Sequence, residues 1–440
     1  MKIGMISLGC PKNLTDSEIM LGILMENGHE IVSDPKDADA IIVNTCGFIG
    51  DAKEESINTV LEMAEYKKEN LKYLIMAGCM AERYYEEIPT ELPEVDALVG
   101  TGDFHKISEV LDSLEKGVKE NRVGHIDADI PEGLPRVLAT PPYTAYIKIS
   151  EGCDNNCTFC AIPHIRGKYR SRKIEDIVAE AEELAQNGVK ELIVIAQDTT
   201  RYGKDIYGRF SLDRLLTELA KIDGIHWIRC HYFYPEAITD ELLTVMAREE
   251  KIVNYIDMPI QHIDDDILRR MARRTDSLDI KKKIQQIREK MPDAVIRTSL
   301  ITGFPGEDEK AYEKLYAFVQ RERLERVGVF PYSEEEGTVA AMFPGQLPED
   351  IKKRRADGIM ALQSKISLNK NKEKIGKVFE VLVEGYDEDN FMYFGRTYGD
   401  SIDIDSKVYF AAEDEVEIGS FTKVEILDCD EYDLTGKECL

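Results

Sequence analysis

Short apolar runs alternate with amphipathic stretches through the first hundred residues. Lys2–Leu8, Ala40–Asn44 and Lys72–Ala77, rich in Ile, Val, Leu and Met, predict buried strands. Between them, Asp16–Asn27 and Asp51–Glu69 carry a helical period with acidic first turns. A fourth strand, Ala97–Val99, precedes Gly100 and a last helix around His105–Lys116. Such alternation implies a parallel sheet with covering helices.

The pattern breaks at Asp127–Pro142, where Pro131, Pro135, Pro141 and Pro142 mark a linker. It then resumes with six strands: Ala145–Ser150, Glu191–Ala196, Trp227–Tyr234, Tyr255–Pro259, Val295–Thr302 and Arg326–Tyr332. Helices near Ile174–Gln186, Leu212–Ile222, Thr239–Arg248, Leu278–Lys290 and Glu309–Gln320 join them. Six β/α units fall short of the eight of a closed barrel, so an open, partial (β/α) barrel is expected, with ligands at the C-terminal strand ends. After a long helix, Glu349–Glu373, the strands Val378–Gly385, Met392–Arg396, Lys407–Phe410 and Thr422–Leu427 follow without helices between them. They predict a small antiparallel β-barrel. The expected domains are 1–130, 136–370 and 371–440.

Charge sharpens this division. The chain of 440 residues carries a formal net charge of -28; residues 1–130 hold -14 and residues 371–440 hold -12, so the middle is nearly neutral. Such a balance argues against a partner bound mainly through phosphates and favours a basic one, or serves solubility alone. No apolar run approaches the roughly 18 residues of a membrane span, and the first residues lack a basic segment leading into an apolar one. A cytoplasmic location and no membrane partner are expected.

Nine cysteines in so long a chain fit metal binding or catalysis better than a disulfide framework. Cys153, Cys157 and Cys160 form Cys-x3-Cys-x2-Cys just after the first strand of the expected barrel. Thiolates so close suit zinc, with His164 as a fourth ligand, or an iron–sulfur cluster with one iron left open. Cys10, Cys46 and Cys79 each follow a strand of the first segment, one per βα loop, at the edge where open α/β sheets bind ligands. Any one alone reads better as a core thiol, but three in the same relative place are not expected by accident. Cys230 reads as a core residue, and Cys429 and Cys439 have no assigned role.

With Phe159 before its last cysteine, Cys-x3-Cys-x2-Cys resembles the radical S-adenosylmethionine (SAM) enzymes. The longer run Glu151–Pro163, continuing through Arg166-Gly167 to Arg170-Ser171-Arg172, is similar to their methylthiotransferase branch. The resemblance implies a 4Fe–4S cluster on Cys153, Cys157 and Cys160 whose open iron holds SAM. It also implies a second 4Fe–4S cluster on Cys10, Cys46 and Cys79, and a C-terminal TRAM domain. A cofactor must supply the radical because an unactivated C–H bond has no useful acid–base route. Asn13 and Asn44-Thr45 suit donors to cluster sulfurs, or simple caps.

Candidate cofactor contacts are Phe159 in the cluster motif, Gln197, Asp198 and Gln261 at strand ends, and Arg297 and Ser299 on the fifth strand. Asp198 reads equally as a turn cap, and His262 as a satisfied structural histidine. Gly303–Gly306 suits a plain turn. The basic run Arg166, Lys168, Arg170, Arg172 and Lys173 suits either a solvated helix start or anion contact.

One branch of the resembled family modifies adenosine in tRNA; another methylthiolates an aspartate β-carbon of protein 12 of the small ribosomal subunit. Gly9-Cys10-Pro11-Lys12-Asn13, Gln197–Gly203 and Tyr432–Gly436 resemble the ribosomal branch. The acidic C-terminal segment points the same way, since a basic ribosomal protein complements it and tRNA does not. A low-potential electron donor such as flavodoxin or ferredoxin, and a sulfur donor, are the other expected partners. The alternatives are a tRNA methylthiotransferase and a non-catalytic iron–sulfur carrier or ribosome-binding factor.

Overall fold

The computed structural model describes residues 1–439. Its N-terminal unit is a five-stranded parallel sheet, β1 (Lys2–Ser7), β2 (Glu30–Ile31), β3 (Ala40–Thr45), β4 (Tyr73–Gly78) and β5 (Ala97–Val99), in the order β2-β1-β3-β4-β5. The two-residue edge strand β2 was not expected from the sequence. Its short run, exposed at Glu30, lacks the apolar signature that marks its neighbours. Helices α1 (Pro11–Glu26), α2 (Gly50–Ala64) and α3 (Cys79–Arg83) leave β1, β3 and β4 in turn. Apolar clusters lie on both faces of the sheet, as a parallel sheet requires.

Polar residues fill the start of α1, yet Lys12, Asn13, Thr15, Asp16, Ser17 and Glu18 are all buried. They are covered by the middle unit and by the proline-rich segment. That segment is packed rather than loose. Arg136 donates to Glu18 at 2.5 and 3.0 Å and to Glu180 at 2.7 Å, and the Pro135 carbonyl lies so close to Gly22 that no Cβ would fit there.

The middle unit contains the six expected parallel strands: β6 (Thr144–Lys148), β9 (Glu191–Ile195), β10 (Trp227–Cys230), β11 (Tyr255–Asp257), β12 (Val295–Thr302) and β13 (Arg326–Pro331). A short pair, β7 (Ser150–Glu151) with β8 (Arg170–Ser171), flanks the cysteine loop. The wall is two three-stranded sheets, β10-β9-β6 and β11-β12-β13. They meet at a single Ile228–Ile252 bridge and at Phe233 N–H to the Asp257 carbonyl, 2.8 Å. Five amphipathic helices and the long helix Glu349–Lys372 cover the outside and bury one large core.

Strands β14 (Val378–Asp387), β15 (Met392–Arg396), β16 (Val408–Ala411), β17 (Phe421–Cys429) and β18 (Leu434–Glu438) close into a barrel, β14-β15-β16-β18-β17. The sequence reading missed β18, whose Leu-Thr-Gly-Lys-Glu has little apolar content. Its pairing with β16 is parallel, the others antiparallel.

This barrel is welded to the middle unit by a buried charge cluster. Glu191 accepts from Arg229 Nε at 3.0 Å and Arg396 Nη2 at 2.7 Å, and Arg396 also reaches Glu384 at 2.7 Å. The loop after β15 enters the open barrel. Ile402 packs on Tyr146, Ile193 and Ile195, Ser401 meets His231 at 3.0 Å, and Asp405 accepts from the Tyr255 hydroxyl at 2.6 Å.

Candidate functional site

Cys10 is the N-cap of α1, Cys46 lies one residue past β3, and Cys79 opens α3 after β4. All three stand at the C-terminal edge of the sheet. Two glycines make the approach possible. Gly9 (φ +87°) and Gly78 (φ +88°) adopt left-handed backbone; a Cβ would lie 2.7 Å from Cys46 Cβ at the first and 2.1 Å from Asn44 Oδ1 at the second. Asn13 ties the loops together. Its Nδ2 donates to the carbonyls of Leu8 (3.1 Å) and Thr45 (2.9 Å), while its Oδ1 accepts from the Cys79 thiol at 3.4 Å. Burial disfavours the Cys10 thiolate, but Lys12, Arg166 and the N–H groups of Asn13 and Lys12 overcome it and lower its pKa. Burial pushes the Cys79 thiol up to about 12 and also raises Cys46.

The second triad lies on the loop after β7. Gly152 (φ +75°) lets the chain pass against the Lys168 carbonyl, and Cys153 N–H bonds the Gly167 carbonyl at 3.0 Å. Burial raises Cys153 to about 12 and Cys160 further. Arg273 donates to Cys157 Sγ at 3.7 Å and stacks over Tyr234, 4.5 Å from its ring centroid. His164, the fourth ligand considered for zinc, is exposed. Three cysteines without a fourth protein ligand fit a cluster with an open iron, whose ligands spread over its corners. Gln197 Oε1 and Asn44 Oδ1, both buried near the triads, have no hydrogen-bond partner among the described residues.

The segments that carry the two triads pack together. Cys79 packs directly on Ala161 and Ile165, just past Cys160, and Thr101 donates to the Ile165 carbonyl at 2.6 Å. Between them lies an enclosed ion network. Arg166, 1% exposed, donates to Glu151 (3.0 and 3.1 Å), Asp16 (3.1 Å) and Asn13 (2.7 Å); Lys148 donates to Asp16 (2.5 Å) and Glu151 (2.7 Å). Burial opposes the Glu151 charge, but Arg166 and Lys148 hold its carboxyl well below the usual range. Arg166 is thus no solvated helix start. Its place in a basic run beside the cluster motif was the available signal.

The other candidates divide. Gln197 donates to Glu151 at 2.8 Å and so borders the network. Asp198 caps the turn Thr199–Arg201 and braces Asn155 of the cysteine loop at 2.8 Å; burial raises its pKa to about 6. Phe159 packs edge-on to Phe304 in an apolar cluster. Gln261 is left-handed (φ 71°) and lies four residues past β11, beyond the strand end expected from the sequence, with its backbone paired to β12. Arg297 is held by Asp257 at 2.8 Å and shares a face of β12 with Ser299. His262 is satisfied by Glu307 and the Asp264 N–H, a structural residue. Sequence reasoning missed Tyr232, left-handed (φ 62°) just past β10, which turns its ring under the Lys12 ammonium. Such strain persists where surrounding packing over-determines it, commonly at functional sites.

Three family profiles match in chain order: Uncharacterized protein family UPF0004 over residues 2–100, the Radical SAM superfamily over 147–319 and the TRAM domain over 375–438. Among solved structures, the radical SAM methyltransferase TsrM from Kitasatospora setae aligns over 75% of this chain and 74% of its own, with TM-score 0.57 at 13% identity. The cobalamin-dependent SAM radical enzyme OxsB aligns over 82% and 56%, with TM-score 0.52 at 11% identity; both share the fold. The fold and cysteine loops define a radical SAM enzyme. Curated relatives called ribosomal protein uS12 methylthiotransferase RimO are 52% identical in Acetivibrio thermocellus (99% of this chain, 98% of the relative) and 52% identical in Clostridioides difficile (99% and 98%). The chain belongs to the RimO family of radical SAM methylthiotransferases.

Proposed function

We propose that the protein methylthiolates the β-carbon of an aspartate in ribosomal protein uS12, using two 4Fe–4S clusters carried by domains 1–130 and 136–370, with 371–440 as the third domain. Cys10, Cys46 and Cys79 would hold one cluster, and Cys153, Cys157 and Cys160 the other. When bound, the clusters and SAM supply one-electron access to an unactivated C–H bond and the methylthio group to be installed. The observation that supports the reading is the packing of Cys79 with Ala161 and Ile165, which sets the first cysteine set against the segment that follows Cys160.

The chain's own residues shape that site. Arg166 and Lys148 balance Asp16 and Glu151, so the interface between the sets is enclosed without leaving those four charges unpaired. Asn13 fixes the loops of Cys10 and Cys46 and touches Cys79. Asp198 and Asn155 brace the second loop, and Phe159 seals it against Phe304. The acidic C-terminal barrel complements a basic ribosomal protein. A low-potential donor of the flavodoxin or ferredoxin type and a sulfur donor complete the partner set, in the cytoplasm. No helix among the described residues is long and apolar enough to cross a membrane.

The test is an anaerobic assay of the reconstituted protein with SAM, reductant and sulfide, offered the uS12 loop peptide and unmodified tRNA together. Mass spectrometry should find a methylthio group on the peptide aspartate and unchanged tRNA. Modified tRNA with unchanged peptide would defeat the substrate assignment.

A further inference from the structure

Every carboxylate in the network between the cysteine triads is already committed. Asp16 and Glu151 face Lys148 and Arg166, and Asp257, beyond Tyr232, faces Arg297. Lys12 has no such carboxylate among the described residues. Lys12, 8% exposed, has neither a carboxylate within 4.0 Å nor a hydrogen-bond acceptor among the described residues; its Nζ lies 3.6 Å from the centroid of the Tyr232 ring. A buried ammonium carries three donors and is costly without an anion.

Its position is set from both sides. Pro11 and the Cys10 cap begin α1, so Lys12 projects from the first turn beside the Cys10 loop. Tyr232, held left-handed past β10, presents its ring face, which attracts a cation without neutralising it. Tyr232 N–H is itself fixed by Asp257 Oδ2 at 3.2 Å. The ammonium therefore stands where the N-terminal unit's cysteine edge meets the C-terminal strand ends of the open barrel, beside the Cys10 thiol but with no carboxylate partner among the described residues.

We propose that Lys12 binds the side-chain carboxylate of the substrate and makes the enzyme select an acidic residue. This inference rests on the proposed function and deepens it. A carboxylate oxygen accepting from Nζ at hydrogen-bond distance places the adjacent β-carbon about 4 Å from the ammonium. The contact thus orients the carbon to be modified as well as choosing the residue. Tyr232 is the positioning residue, acting through Lys12.

The experiment uses the reconstituted protein and two fluorescent peptides of the uS12 loop, with Asp or Asn at the modified position. Anisotropy gives their dissociation constants, and turnover gives KM and kcat. Native protein should bind the Asp peptide at least about tenfold more tightly than the Asn peptide. Lys12→Met should lose that preference with its iron content intact, and Lys12→Arg should recover part of it. Equal native binding of the two peptides, or a preference kept in Lys12→Met, would overturn the proposal. So would a Lys12→Met protein whose only change is a shifted potential of the Cys10/Cys46/Cys79 cluster, since Lys12 would then serve the cluster. If Lys12→Met fails to retain iron, the Lys12→Arg and native binding ratios decide, and loss of preference in Lys12→Arg with full iron counts against a charge contact. If native protein binds the Asp peptide selectively but installs no methylthio group, the proposed reaction fails while the carboxylate contact stands.

Discussion

Replacing Glu191 by Gln removes the single anion shared by two buried guanidiniums, Arg229 and Arg396, at the seam between the open barrel and the C-terminal barrel. All three side chains are 1% exposed or less. Breaking a buried pair by removing one partner costs about 3–5 kcal/mol, because the remaining charge is stranded. Proton linkage gives an independent figure. Burial opposes ionisation of Glu191, but Arg396 and Arg229 prevail and depress its pKa from 4.5 to about 2. A shift of that size corresponds to about 3 kcal/mol at neutral pH. The sign follows from the depressed pKa: the stabilisation is complete above about pH 4.5 and is lost as pH falls toward 2. Glu384 does not share in this, since burial outweighs its bond to Arg396 and raises its pKa. The chain's single tryptophan, Trp227, packs edge-on to Phe421 of the C-terminal barrel at 4.8 Å, so its fluorescence reports this seam. Urea titration at pH 7 should show the Trp227 transition in Glu191→Gln weakened by about 3 kcal/mol relative to native. Most of that gap should close by pH 3. A loss below about 1 kcal/mol, or a gap independent of pH, would refute the reasoning.

Two further outcomes follow from the same geometry. Gly78→Ala puts a methyl group against Asn44 Oδ1 and the Thr45 carbonyl on a φ of +88°, costing roughly 1–3 kcal/mol; iron analysis should show loss of the Cys10/Cys46/Cys79 cluster, and a full complement of iron would contradict the account. His231 is buried against Ser401, and burial lowers its pKa from 6.5 to about 4, so stability should fall by about 3 kcal/mol as pH drops through that window; His231→Gln should flatten this slope in urea titrations between pH 7 and 4, and an unchanged slope would count against it.

Much of the architecture was legible because parallel strands buried on both faces are continuous apolar runs, as in Ala40–Asn44 and Glu191–Ala196. The cysteines were legible because each follows such a run. Strand β2 was not, since pairing at a sheet edge holds its residues there, and neither was β18, which pairing to both β16 and β17 holds in the closed barrel despite its polar residues. Nor was the packed state of Asp127–Pro142, because the anchor is Arg136 meeting Glu18, a partner 118 positions away. The same holds within the site. Nothing in the sequence pairs Arg166 and Lys148 with Asp16 and Glu151; only the closure of one unit on another turns them into a buried network. Tyr232 depends on a backbone conformation that no side-chain pattern announces.

The central claim is that two separate cysteine triads each hold a cluster. It is tested most directly by iron and sulfide analysis with Mössbauer spectroscopy on three reconstituted proteins: native, Cys10/Cys46/Cys79→Ala and Cys153/Cys157/Cys160→Ala. The account predicts about eight irons per native chain and about four in each variant, with 4Fe–4S spectra throughout. Native protein with only about four irons, or a variant that keeps all of its iron, would contradict it.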